Sequence, residues 1–304
     1  MSIESGVFEG RTTGTPIALR IENAAHDSSE YEAFRDMPRP GHADLTTHLK
    51  HGHRDHRGGG RSSARETAAR TAAGVVAKKI LAAKGIDLAA WISQVGSWDA
   101  GPGENARIEP LSLGEIRSRR DAHHLAAPYS ADWLSVAEST LASVREKGES
   151  WGGGVRCRVD GLPAGLGEPV FDKLQATLAH ALMSLPAAVA FDSGGGWGLS
   201  RIPGSYVRDA IGPDLKPLSN KHGGLLGGMT TGLPLFVGVS FHAPTSIPAA
   251  IASVNLRTGE TAEVKVGGRH DAFPLPRILP VVEAMVAITF VDAMLRAGRI
   301  GEKI

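Results

Sequence analysis

The stretch RPGHADLTTHLKHGHRDHRGGGRSSARETAAR (residues 39–70) is the most informative part of this sequence, because it combines arginines and histidines with three consecutive glycines. Glycines let the backbone approach a ligand closely, and arginines form bidentate hydrogen bonds with phosphate and carboxylate groups. Ser63 and Glu66 predict a capping box at a helix start, where free N–H groups favour anions. The stretch therefore predicts a site for a small, multiply anionic molecule rather than a solvated basic loop.

The composition narrows the class of protein. The chain has 304 residues, 42% of them hydrophobic, and a formal net charge of +1, so only clustered basic residues carry electrostatic meaning. Aromatic residues make up 5%, and acidic residues interleave with the basic ones, which argues against nucleic-acid binding. One cysteine, Cys157, excludes an intramolecular disulfide. We find no apolar run of membrane-spanning length and no signal peptide, and expect a soluble, cytoplasmic protein without membrane partners.

Periodicity and turn residues predict mixed helices and strands within one domain, 1–304. The predicted helices are 63–84, 131–147, 170–184 and 281–296, and 95–128 is a loop-rich connector. The predicted strands are 7–8, 17–21, 155–159 and 233–241, of which the first two are expected to form an extended pair joined by a Gly/Thr turn. TTGTPIALRI (12–21) resembles TTGLPLFVGV (230–239), which indicates two similarly built halves, about 1–148 and 149–304. The second copy has a longer lead-in, so the first half is expected to lack its N-terminal part.

Other patterns leave alternatives open. The histidines between 42 and 56 allow a metal site, but their spacing matches no standard zinc pattern, so we predict none. GRHD (268–271) places a base beside a cation and suits proton transfer, although a surface turn is the simpler interpretation of this tetrapeptide alone. The glycine pairs 223–224 and 227–228 fit either a ligand near the backbone or close packing of elements. No dinucleotide-binding or P-loop motif is present.

Several of these segments, taken in order, resemble the chorismate synthase family. The matching segments are SGVFEGRTTGTPIAL (5–19), YEAFRDMPRPGHAD (31–44), RDHRGGGRSSARETAARTAAGVVAKKIL (54–81), GLPAGLGEPVFDKLQATLAHALMS (161–184), NKHGGLLGGMTTGLPL (220–235) and GRHD (268–271). The resemblance implies an α+β sandwich, with an inner helical layer between two antiparallel sheets, and a homotetramer. It also implies a lyase of the shikimate pathway, and so of aromatic amino acid biosynthesis. This lyase eliminates phosphate from 5-enolpyruvylshikimate 3-phosphate to give chorismate, and it is a flavoprotein that needs reduced FMN, with NADPH as a reductant.

The resemblance also assigns roles to residues of this sequence. His42 corresponds to the acid that protonates the departing phosphate, and Asp271 to the group that works with the flavin in proton removal. Arg39 and Arg65 correspond to substrate-binding arginines. The positions that correspond to flavin contacts are Arg61, Ser62, Ser63, Pro186, Ala187, Gly227, His242, Ala243, Pro244, Thr245, Ser246 and Arg269.

The sequence also departs from the family pattern. The family has a G-E-S-H-G segment and an arginine-rich run ahead of the first matching segment, so the resemblance implies an N-terminally truncated or diverged member. HAPTSI (242–247) stands where K-P-T-S-S-I is usual, which replaces a flavin-contacting lysine by the partly charged His242. These departures leave the activity of the chain as written open. The alternative function is an inactive or diverged paralogue that binds FMN or an anionic ligand without turnover.

Overall fold

The computed structural model of the chain describes residues 1–24, 27–266 and 271–301. The helices are α1 Asp44–His51, α2 Thr67–Ala83, α3 Gly101–Ile108, α4 Leu113–Asp121, α5 Ala131–Glu146, α6 Leu174–Met183, α7 Gly204–Val207 and α8 Leu275–Arg296. The strands are β1 Ser2–Ser5, β2 Val7–Phe8, β3 Arg11–Thr12, β4 Ala18–Arg20, β5 Asp87–Val95, β6 Trp98–Asp99, β7 Gly153–Asp160, β8 Ala188–Ser193, β9 Leu225–Leu226, β10 Met229–Thr230, β11 Leu235–Phe241, β12 Ile251–Val254 and β13 Thr261–Val264. This mixture of helices and antiparallel strands confirms the predicted α+β class.

One antiparallel sheet organises the core. Its strand order is β6-β5-β7-β11-β8, and the described residues otherwise form two-stranded pairs. The sheet joins β5 from the predicted first half to β7 from the second, while the predicted similarity of the two halves stays a prediction. Every residue of β7 except Arg156 and Asp160 is buried, because helices and loops cover both faces of this central strand.

The edge of β5 that lacks a strand partner is covered by charged side chains. The backbone N–H of Ala90 donates to a Glu283 carboxylate oxygen at 3.0 Å, and the Ala90 carbonyl accepts from Arg120 at 3.0 Å. Arg120 also donates to Glu283, and Lys78 pairs with the other Glu283 oxygen. A free strand edge is a template for unwanted pairing, so this cluster closes the sheet where β6 does not reach.

Helices α2 and α8 cross at very close range. A Cβ atom added to Gly74 would lie 2.2 Å from the Cβ of Ala284, so a glycine is required at this crossing. The first turns of the two helices lie beside the cavities described below, and the crossing therefore fixes the position of two cavity walls.

Helix α8 begins six residues before the predicted start and includes Pro280 in its interior. The apolar packing of residues such as Leu279 and Val281 offsets the roughly 3 kcal/mol that an interior proline costs. The helix is also long and apolar enough to cross a membrane, with a mean hydropathy of 2.0, contrary to the expectation that no such run exists. Half of that apolar window is buried against the rest of the chain, and the core position of α8 explains its hydropathy.

The helix start at α2 differs from the predicted capping box. Ser63 accepts from the N–H of Arg65, and the carboxylate of Glu66 pairs with Arg70 instead of turning back to Ser63. A capping box does form at α4, between Ser112 and Glu115. The predicted capping box at Ser63 and Glu66 was therefore wrong, and the box at Ser112 and Glu115 was not predicted.

Two other local predictions were wrong. The connector 95–128 contains α3 and α4. Near the N-terminus, β4 pairs with β1, whereas Val7–Phe8 pairs with Arg11–Thr12, so the two predicted strands do not pair with each other. The prediction of a helix between Ser130 and Gly148, by contrast, was confirmed by α5.

Candidate active site

Two adjoining cavities lie where the loop after residue 39 meets the start of α2. Their volumes are about 700 and 630 Å³, which is within the range of cofactor and ligand pockets. Both are lined by His42, Ser62, Arg65 and Ser246. Among the residues singled out from the sequence, the larger cavity adds Pro186, Ala187, His242, Pro244, Thr245 and Asp271, and the smaller one adds Arg39, Arg61 and Ser63.

His42 is held by a segment that is about two hundred positions away in sequence. Its Nε2 lies 2.8 Å from the hydroxyl of Ser246, a residue 204 positions further along the chain. Its Nδ1 lies 3.1 Å from the Pro40 carbonyl. The carbonyl can only accept, so Nδ1 carries a proton and Nε2 of the neutral ring accepts from Ser246. Burial lowers the pKa of His42 below its ordinary value of 6.5.

The loop that carries His42 packs directly on the segment that contains Ser246. Gly41 has a φ of 73°, and a Cβ atom there would lie 2.8 Å from the methyl group of Thr245. The Thr245 hydroxyl donates to the Gly41 carbonyl at 3.2 Å. Only glycine combines this backbone conformation with this close approach, so the GHAD sequence places the imidazole against residues 245–246.

Arg39 already has a carboxylate partner within the protein. Its Nε and Nη2 donate to the two oxygens of Asp44 at 2.9 and 3.1 Å, and its guanidinium lies 5.4 Å from the centre of the Tyr31 ring. Burial raises the pKa of Asp44, but hydrogen bonds from Arg39 outweigh this effect, and the pKa is lowered overall. Arg39 is therefore fixed in place, and its substrate-binding role stays a prediction.

Arg61 and Arg65 differ from Arg39 because both side chains are exposed at the cavities. Within the described residues, Arg65 makes one side-chain hydrogen bond, a 3.4 Å contact with the Tyr31 hydroxyl, and Arg61 makes none. Ser63 stabilises the turn between them by accepting from the N–H of Arg65. The two guanidinium groups are thus available to a phosphate or carboxylate in the cavity.

A backbone contact joins the other two predicted contact segments. The N–H of His242 donates to the carbonyl of Ala187 at 2.9 Å, which brings residues 186–187 beside residues 242–246. Ala187 has a φ of 67°, a conformation that costs a non-glycine residue about 1–2 kcal/mol. The exposed His242 ring bonds to the Ala243 carbonyl through Nδ1 at 2.7 Å. Ala243 itself does not line either cavity.

Asp271 lies at the side of the larger cavity formed by the start of α8. Its Oδ2 is ion-paired with Arg277, in the first turn of the helix, and its Oδ1 accepts from the N–H of Phe273 at 3.1 Å. Arg277 lines the same cavity. The pair holds a carboxylate in the cavity that also contains the His42 imidazole.

Two predicted contact residues are not brought to these cavities. Gly227 lies in the turn between β9 and β10 and lines neither one, and Arg269 falls outside the described residues. The histidines between 42 and 56 do not form a three-ligand group within the described chain. The one such group there consists of His123, His124 and Glu138.

The larger cavity has an apolar side that the sequence analysis missed. It is formed by Leu185, Phe241, Leu275, Ile278 and Val281. Arg277 was also missed, because its sequence surroundings carry no motif and only the fold brings it to the site. Tyr31 opens one of the matching segments, but no role was predicted for it. An apolar wall beside serines and free arginines suits a flat ring that carries a phosphate, so the residues present fit a flavin mononucleotide.

Comparison with known proteins gives one consistent result. The chorismate synthase family model matches residues 1–295. The chorismate synthase of Methanosarcina barkeri is 42% identical over 309 aligned residues, which cover 100% of this chain and 81% of that protein. The chorismate synthase of Ignicoccus hospitalis is 43% identical over 301 residues, covering 97% of this chain and 76% of that protein.

The fold agrees with these sequence matches. A crystal structure of chorismate synthase has a TM-score of 0.76 with this chain at 29% sequence identity. The match covers 97% of this chain and 78% of that structure.

Proposed function

The chain belongs to the chorismate synthase family, and from this premise we propose that it converts 5-enolpyruvylshikimate 3-phosphate to chorismate and inorganic phosphate. The reaction breaks a C–O bond to phosphate and a C–H bond elsewhere on the ring, and it forms a new double bond without net oxidation. We further propose that the protein is a soluble, cytoplasmic homotetramer. The observation that carries the proposal is the convergence of His42, Arg65 and Asp271 at one cavity.

His42 is proposed to protonate the departing phosphate through Nε2. Burial keeps the ring neutral in the free protein because it lowers the pKa of His42, but a phosphate dianion beside Nε2 would raise that pKa. The proton on Nε2 would then be available where the C–O bond breaks, with the phosphate taking the place of the Ser246 hydroxyl at Nε2. The Pro40 carbonyl holds the orientation of the ring through Nδ1. Arg65, with no acidic partner within the described residues, is proposed to bind the anionic groups of the substrate.

Reduced FMN is the proposed cofactor, with Arg61, Ser62, Ser63, His242 and residues 244–246 as its contacts. When bound, it would supply transient electron density and a basic nitrogen for removal of the ring proton. The apolar side formed by Leu275, Ile278 and Val281 would exclude water from its ring. Asp271, paired with Arg277, would hold a carboxylate near the proton that leaves. NADPH is proposed as the reductant.

The test supplies the purified protein with reduced FMN and the substrate, and measures chorismate by absorbance and phosphate release in parallel. We expect turnover, and His42→Ala should lower kcat by about 10²–10⁴-fold. His53→Ala is the matched control, since His53 is exposed and lines neither cavity. Binding of FMN without chorismate formation would favour the alternative, a paralogue that binds flavin without turnover. Equal losses in both variants would refute the role of His42.

A further inference from the structure

A third cavity, of about 250 Å³, is lined on the central sheet by Trp91, Arg156 and Phe236. It is bounded by α3 on one side and by residues 194–195 and 220–223 on the other. It shares no lining residue with the two cavities of the candidate active site. Its volume equals that of about eight water molecules at roughly 30 Å³ each, which suits a small organic molecule.

Across the central sheet, one row of residues carries opposite charges that are not paired. The register of β5, β7, β11 and β8 aligns Trp91, Arg156, Gly238 and Asp192. A Cβ atom at Gly238 would lie 2.7 Å from Asp192 Oδ1, so the carboxyl group lies over the glycine. The carboxyl group therefore occupies the space that a side chain at position 238 would take, in the same row as Arg156.

Neither charged group in this row is satisfied within the described part of the chain. Asp192 Oδ1 is buried without a hydrogen-bond partner, and burial raises the pKa of Asp192 above its ordinary value. Arg156 lines the cavity, and its side chain makes no hydrogen bond or ion pair with any described residue. The neighbouring Arg158, by contrast, donates through Nε to Asp160 and through Nη1 to two backbone carbonyls. Of the two groups, Arg156 reaches the cavity, so a carboxylate bound there would gain a charge-assisted partner.

The charges around the cavity select the chemistry of the ligand. Arg156 and Lys221 supply positive charge, and Glu109 at the cavity and Asp192 beside it supply negative charge. A multiply charged anion would be repelled by the carboxylates, and a simple cation by Arg156. A zwitterion complements both signs, and the Phe236 ring adds an apolar contact for its side chain.

We propose that this cavity binds a small zwitterionic α-amino acid with an apolar side chain. Its carboxylate is held by Arg156, and its ammonium group faces Glu109, the carboxylate that lines the cavity. Guanidinium–carboxylate pairs are bidentate and charge-assisted, so the carboxylate contact dominates recognition. The site is independent of the proposed catalytic function, because none of its residues lines the cavities that contain His42.

Isothermal titration calorimetry of the full chain with L-phenylalanine and L-leucine tests the proposal. N-acetyl-L-phenylalanine and L-phenylalanine amide, which each lack one of the two charges, should bind at least tenfold more weakly than the parent amino acid. Arg156→Met keeps the length of the side chain but removes its charge, and it should weaken binding at least tenfold.

Arg107→Met is the matched control, because Arg107 is an exposed cation on α3 that does not line the cavity, and binding should be unchanged. Lys221→Met, at an exposed loop position, provides a second variant if Arg156→Met fails to fold, and it should also weaken binding. Absence of saturable binding by either amino acid overturns the proposal. Equal affinity for the single-charge analogues also overturns the proposal. So does unchanged binding in Arg156→Met or, if that variant does not fold, in Lys221→Met.

Discussion

Gly74→Ala tests whether the crossing of α2 and α8 sets the geometry of the site. The new Cβ atom would lie 2.2 Å from the Cβ and 2.6 Å from the Cα of Ala284, whereas carbon atoms in contact normally lie about 3.5–4.0 Å apart. The helices must therefore separate by roughly 1.5 Å, or the side chains must remain strained. An extra methyl group in a packed core costs about 1–3 kcal/mol.

An opposing effect makes the sign of this experiment informative. Alanine is favoured over glycine in a helix interior by about 0.5–1 kcal/mol, so Gly74→Ala would stabilise the protein if the crossing were loose. The distances of 2.2 and 2.6 Å to Ala284 are so short that the cost of overpacking should exceed this gain in helix propensity. We expect a net loss of about 1–2 kcal/mol in the free energy of unfolding, measured by urea denaturation. Ala73→Gly, at an exposed position of the same helix, calibrates the propensity effect alone.

The double variant Gly74→Ala/Ala284→Gly identifies the cause of the loss. It removes the 2.2 Å contact but keeps the 2.6 Å approach to the backbone of residue 284, so we expect it to recover about half of the lost stability. Helix separation would also move Thr67 and Leu275, which line the larger cavity from the two helices, and FMN affinity should fall in the single variant. A Gly74→Ala protein as stable as the parent, or a double variant no better than the single one, would refute this account.

The remaining predictions concern two polar groups. Burial lowers the pKa of His42 from 6.5, so its imidazole should titrate below 6.5 by NMR. The contribution of His42 to the free energy of unfolding should be present above pH 6.5 and decline as the pH falls through the lowered pKa. A titration at or above 6.5 would contradict the burial of this ring. Glu283→Ala should cost about 3 kcal/mol in unfolding free energy, since it leaves Lys78 and the Ala90 N–H without their partner. Asp292→Ala, which removes an exposed pair with Arg296, should cost less than about 1 kcal/mol, and equal losses would show that the Glu283 cluster does not stabilise the edge of β5.

Local signals in the sequence predicted the elements that have clear boundaries. Ser130 and Gly148 delimit α5 because a cap and a positive-φ glycine act within a few residues. Strand β5 was missed because eight of its nine residues are buried or partly buried on both faces, which removes the alternation that identifies a strand. Helix α3 was missed because GPGENARI begins with two glycines around a proline, and its stability comes from contacts such as the buried Ile108.

The site shows the same division between local and long-range information. His42 and the residues around Arg61 were identified from contiguous motifs, and they line the cavities as expected. The hydrogen bond from Ser246 to His42 spans 204 positions, and the pairing of Asp271 with Arg277 depends on where α8 begins. No local pattern contains either contact, because each follows from the packing of elements that are distant in the chain.

Asp44 gives the smaller cavity its electrostatic character. It accepts two hydrogen bonds from the Arg39 side chain and lies 3.7 Å from Arg54, so one negative charge is shared between two cations. Arg54 Nε and Nη1 are buried without a hydrogen-bond partner in the described residues, and the cluster keeps a net positive charge beside the cavity. A carboxylate that neutralised both arginines would compete with an anionic ligand. Asp44 instead orients Arg39 and leaves an excess of positive charge, which favours binding of an anion in the cavity.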